Sequence, residues 1–86
     1  MSIDGIIDEI ITERQSQDKK WGVQHHHLAY WFTILGEEIG ELAQEILELD
    51  LTNEENRTRL RSEAIQSAAV IVAMLEDFES VHEPEV

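Results

Sequence analysis

The chain contains no cysteine. Disulfides, thiolate metal sites and thiol redox chemistry are therefore excluded. Basic residues are scarce: six Lys and Arg stand against nineteen Asp and Glu, for a formal net charge of -13. A nucleic-acid polymer is not a fitting partner, because phosphate backbones attract Lys and Arg. An anionic membrane surface is disfavoured for the same reason. A free nucleotide is a separate case, since a bound Mg²⁺ inverts the local field. The single proline is Pro84, so nothing breaks a helix before the tail. The longest strongly apolar stretch, Ala68 to Leu75, is far too short to span a bilayer. The opening Met1-Ser2-Ile3-Asp4 has no basic region and no long apolar run, so no signal peptide and a cytoplasmic location are expected.

What is present bounds the fold. Hydrophobic residues make up 42% of the 86, which argues against disorder despite the charge. That length suits one small domain over 1–86, of marginal stability as a monomer, with 80–86 expected as a frayed tail. Strand alternation is absent, and the reading is all-α with three helices. The first spans Ile3 to Lys20, where Ile3, Ile6, Ile7, Ile10 and Ile11 recur at helical spacing. Trp21 to His27 is a loop opened by Gly22. The second runs from Leu28 to Asp50, roughly 33 Å at 1.5 Å per residue. Its apolar stripe is Leu28, Phe32, Leu35, Ile39, Leu42, Ile46 and Leu49. Thr52-Asn53-Glu54-Glu55 reads as a capping box that starts the third helix, which ends near Glu79. From Ala64 to Leu75 this helix is apolar almost all round, and such a helix must be covered on every side. Two partner helices cannot do that, so a homo-oligomer is expected, with Ala64, Ala68, Ala69 and Ala73 allowing close approach.

Two acidic signatures carry the chemistry. Glu37-Glu38-Ile39-Gly40-Glu41 lies on the second helix and Glu63-Ala64-Ile65-Gln66 on the third. Residues three apart share a helix face, so each signature sets two oxygen-bearing side chains side by side. Packed together, the helices aim four oxygen ligands at one point, which suits a hard cation such as Mg²⁺. A solvated acidic face is the plainer alternative. Against it, the second helix carries no Lys or Arg to offset Glu37, Glu38, Glu41, Glu45 and Glu48, and Glu38 borders the apolar stripe. Glu63 and Gln66 flank the line through Val70 and Met74, and buried polar groups need partners.

Other residues read two ways. His25-His26-His27 suggests metal binding, but adjacent loop residues rarely converge on one ion, so a loop-lining or surface role is favoured. Glu79-x-x-His82 has the spacing of di-iron bundles yet stands alone at a terminus. Trp21, Tyr30, Trp31 and Phe32 are either core or a stacking wall for a base. Lys19 and Lys20 with Arg14, and Arg57, Arg59 and Arg61, either serve caps and surface pairs or meet a triphosphate.

Ile34-Leu35-Gly36-Glu37-Glu38-Ile39-Gly40-Glu41-Leu42-Ala43-Gln44 resembles the core signature of the MazG family of nucleoside triphosphate pyrophosphohydrolases. That family carries Glu-Glu-x-x-Glu and, further on, Glu-x-x-Asp. Glu63-x-x-Gln66 lies at a suitable distance, with Gln66 where the family has Asp. Arg14-Gln15-x-x-Asp18-Lys19-Lys20-Trp21-Gly22 and His27 also resemble the small stand-alone members, and the likeness runs from about Ile7 to Phe78. The resemblance implies a four-helix-bundle core completed by a homodimer or homotetramer. It implies hydrolysis of a (deoxy)nucleoside triphosphate to monophosphate and pyrophosphate, in nucleotide house-cleaning. Glu38, Glu41 and Glu63 would hold Mg²⁺, or Mn²⁺ in its place, with Gln66 completing the shell. Glu37 or Glu38 would orient or deprotonate the attacking water. Lys19, Lys20 or Arg59 would hold the outer phosphates, and Trp21, His27 and Trp31 would line the base and sugar pocket. The alternatives are a relative with a distinct substrate, such as a dimeric dUTPase or phosphoribosyl-ATP pyrophosphohydrolase, and a non-catalytic acidic helical partner protein.

Overall fold

A computed structural model describes residues 2–82 of the chain. These residues form three helices: α1 (Ile3–Trp21), α2 (Leu28–Leu47) and α3 (Glu54–His82), with no strand among the described residues. The all-α expectation holds.

Local chemistry sets each boundary. Ser2 caps α1 by accepting from the Gly5 amide at 3.3 Å. Lys19 and Lys20 sit in the last turn, where cations complement the helix dipole. The helix runs one residue beyond the expected Lys20, because the chain first reverses at Gly22, whose φ of 75° lies in the region that favours glycine. His27 caps α2, its Nδ1 accepting from the Ala29 amide at 3.1 Å. α2 ends at Leu47 rather than Asp50. Beyond it, Asp50 Oδ1 accepts from both the Thr52 amide (3.0 Å) and the Thr52 hydroxyl (2.7 Å), which closes a tight turn instead of another helical one. This also moves the cap of α3. Thr52 is occupied by Asp50, so Asn53 Oδ1 takes the Asn56 amide at 3.2 Å and the capping box is not formed. α3 then continues through His82, three residues past its expected end. The rest of the expected tail, 83–86, and the side chain of His82 lie outside what is described.

α3 is the spine. α1 packs on it and α2 packs on it, but α1 and α2 do not pack on each other. The buried apolar residues are Trp31, Ala69 and Val70, joined by the polar Ser67 and Asp77. Ser67 satisfies its hydroxyl by donating to the Glu63 carbonyl one turn back, at 2.9 Å. Two cross-helix ion pairs tie α1 to α3. Arg61 donates to both carboxylate oxygens of Glu9, and Arg14 donates to Glu76 at 2.9 Å as well as to Asp18 on its own helix. Solvent screens the Arg61–Glu9 pair, so it fixes the register of the two helices more than it stabilises them.

The single chain leaves much apolar surface open. Ile3, Ile7 and Ile11 of α1 are exposed, as are Ile71, Val72, Leu75 and Phe78 of α3. Phe32, expected in the apolar stripe of α2, is 76% exposed. The radius of gyration, 14.7 Å, exceeds the roughly 12 Å of a compact chain this long. The apolar middle of α3 is thus covered on the sides facing α1 and α2 and bare elsewhere.

Candidate metal centre and cleft

Glu38 and Glu41 stand one turn apart on α2, and Glu63 comes from the first half of α3. One carboxylate oxygen from each lies within 4.8 Å of the other two. Glu38 and Glu63 are half-buried and Glu41 is exposed. Oε2 of Glu38 and Oε2 of Glu63 are both buried and have no hydrogen-bond partner among the described residues. Burial first, and then the charges of Glu41, Glu13 and Glu37, push the Glu38 carboxyl above its ordinary range. Burial, then Glu41, then the charges of Glu38 and Glu45, raise that of Glu63. Paired anions whose buried oxygens lack donors are held at an energetic disadvantage. A hard divalent cation fits this donor set, because it takes oxygen ligands at close range and offsets the charge.

The sign of these shifts gives a testable result. A carboxyl whose folded pKa is raised binds its proton more tightly when folded, so its penalty on stability grows as pH rises through the shifted value. The metal-free protein should therefore melt at a higher temperature near pH 4.5, the ordinary value of both carboxyls, than near pH 7.5. Glu38→Gln and Glu63→Gln should each narrow that gap. Equal gaps in wild type and both variants would refute strain at this cluster.

A cleft of about 850 Å³ opens beside the cluster, with α3 as its floor and α1 and α2 as its walls. Glu38 and Gln66 line one part of it, and Trp21, His25, His26, Tyr30, Trp31 and Asp77 another. Gln66 donates its amide hydrogen to Ser62 Oγ at 3.3 Å, which leaves the carbonyl oxygen as its ligand atom. Lys20 lines the cleft with its ammonium 4.6 Å from the centre of the Trp21 ring. Six expected site residues line no part of the cleft: Glu41 and Glu63, which meet Glu38 in the cluster at its edge, and Glu37, Lys19, His27 and Arg59, which belong to neither. Glu37 is exposed on α2. His27 spends its Nδ1 on the α2 cap. Arg59 pairs with Glu45 at 3.4 Å, one turn beyond Glu41.

Two residues outside the expected set belong here. Glu13 brings a carboxylate from α1 to the cleft, and its charge acts on Glu38. Asp77 is buried and binds three donors at 2.8 Å each: the His26 amide, the Trp31 indole N–H and His25 Nδ1. The His26 amide first, then Trp31 and His25, hold its carboxyl down at about 2. The sequence carried a signal for it. Asp77 lies seven residues beyond Val70, so it continues the Val70–Met74 line expected to be buried, and a buried acid requires donors.

Among the described residues, no helix is long and apolar enough to cross a membrane. No protein-family model, curated protein or solved structure matches the chain.

Proposed function

We propose that this chain hydrolyses (deoxy)nucleoside triphosphates between the α and β phosphates, with water as co-substrate and a nucleoside monophosphate and pyrophosphate as products. The observation that carries the reading is the convergence of Glu38, Glu41 and Glu63, two of them with buried, unpartnered oxygens, at the edge of a cleft of nucleotide size. The resemblance of both acidic signatures to those of the MazG pyrophosphohydrolases supports it. These three glutamates would hold a Mg²⁺, with the Gln66 carbonyl as a neutral oxygen beside them. Such an ion would supply charge neutralisation of the phosphates and activation of water as nucleophile. Glu38 is better placed than Glu37 to orient the attacking water, since Glu38 lines the cleft. Lys20 is the cleft's ammonium for the outer phosphates. Trp21 and Trp31 wall the base.

The working unit is a homodimer or homotetramer. Support comes from the bare apolar face on α1 and α3 and from the extended shape. Light scattering at micromolar concentration should give twice or four times the 9.9 kDa chain mass; a monomer there would refute this part.

The direct test is pyrophosphate release from a panel of dNTPs and NTPs, with Mg²⁺ and with EDTA. The expected result is metal-dependent pyrophosphate, with monophosphate as the other product. Orthophosphate from γ cleavage, or no product with any nucleotide, would overturn the reading. Turnover confined to dUTP or to phosphoribosyl-ATP would instead assign a narrower relative.

A further inference from the structure

Asp77 does more than fill a buried position. Two of its three donors have no choice of role, because an amide N–H and an indole N–H only donate. The third partner, His25 Nδ1, meets a carboxylate that stays ionised and only accepts. The proton of a neutral His25 ring must then sit on Nδ1, and the lone pair on Nε2. His25 lines the cleft, its side chain is 67% exposed, and its Nε2 has no partner among the described residues. The chain therefore spends a buried charge to hold an exposed ring in one orientation and one tautomer, as carboxylates do for functional histidines elsewhere.

Position along the helices says what this ring meets. Trp31, which shares Asp77 with His25, lies seven residues before Glu38 on α2. At 1.5 Å per residue that is about 10 Å from the carboxylate cluster. Asp77 lies eleven residues beyond Gln66 on α3, about 16 Å along the axis. Between the two ends of the cleft there is room for a sugar and a flat ring. At the far end His26 packs on Tyr30 with ring centres 4.6 Å apart and edge-on to Trp31 at 4.9 Å. That surroundings suits a planar heteroaromatic group.

We propose that His25, positioned by Asp77, accepts through Nε2 a hydrogen bond from an N–H on the edge of the nucleobase, and so helps to select the base. This rests on the pyrophosphohydrolase reading for the orientation of the nucleotide, with its phosphates at the glutamates. His25 is thus a specificity-determining contact, and Asp77 acts through it.

The test measures binding by calorimetry, with Mg²⁺ and without turnover. The probes are the α,β-methylene analogue of the wild type's best nucleotide and inorganic tripolyphosphate. His25→Phe keeps a ring but removes the acceptor, and His25→Gln supplies another. The analogue should bind about fivefold more weakly to His25→Phe, as expected for one neutral hydrogen bond. His25→Gln should recover part of that loss, and tripolyphosphate should bind all three proteins alike. In turnover the same loss should fall on KM, with kcat within twofold. An unchanged analogue affinity in His25→Phe, or an equal loss for tripolyphosphate, would overturn the proposal. The two readings fail separately. Analogue binding with this pattern but no pyrophosphate release removes the enzymatic reading and keeps the contact. Pyrophosphate release with the same KM in wild type and His25→Phe does the reverse.

Discussion

Glu41→Gln is expected to abolish metal-dependent pyrophosphate release, by at least ~100-fold, while the three helices persist. Glu41 is the exposed member of the trio, so removing its charge disturbs little packing. It also stands three or four residues from Glu37, Glu38 and Glu45 on one helix. Like charges at such spacing destabilise a helix by ~0.2–0.5 kcal/mol per pair. The metal-free variant should therefore be slightly more stable than wild type and lose most of its Mg²⁺-induced thermal shift. This combination separates a ligand from a structural residue, since loss of a structural residue lowers stability. Pyrophosphate assays beside thermal melts with and without Mg²⁺ decide it. Full activity in the variant would remove Glu41 from the site.

The second large effect is expected at Asp77. Asp77→Ala leaves the Trp31 indole N–H and the His26 amide without an acceptor. A buried donor left unmade costs ~1–3 kcal/mol, and the indole belongs to the most buried aromatic among the described residues. The melting temperature should fall by several degrees or more. Acid should reveal the same contacts. The folded pKa of Asp77 is depressed from 3.8 to about 2. Its contribution is thus fully present above 3.8 and disappears as pH falls from there through about 2. Asp77→Asn cannot titrate, so its melting temperature should decline less than that of wild type between pH 4 and pH 2. Parallel declines would show that other carboxylates govern acid unfolding. Glu38 and Glu63 carry the opposite sign, so the metal-free protein should be most stable in mildly acidic solution.

Much of this molecule is legible in its residues. Three helices follow from helical spacing of the isoleucines and leucines and from the lack of proline before the tail. The glutamate cluster follows from two three-residue spacings on helices forced to pack. Other features depend on competition between local groups, which pattern cannot rank. Thr52 is a good cap, but the Asp50 carboxylate takes its hydroxyl first and Asn53 caps instead. Arg59 lies on the right helix for a phosphate, but Glu45 is nearer. His27 resembles a pocket residue and is a helix cap. The neighbouring His25 and His26 reach the cleft in its place, because Asp77, about fifty residues away in sequence, binds the loop before His27. No local rule connects those two positions.

The missing contact between α1 and α2 has a mechanical meaning. Each is an arm fastened to α3 alone, α1 through Arg61 and Arg14 and α2 through Trp31 and Asp77. A molecule seated between them touches both arms and supplies the side of the triangle that the chain leaves open. Occupancy of the cleft is then itself a brace.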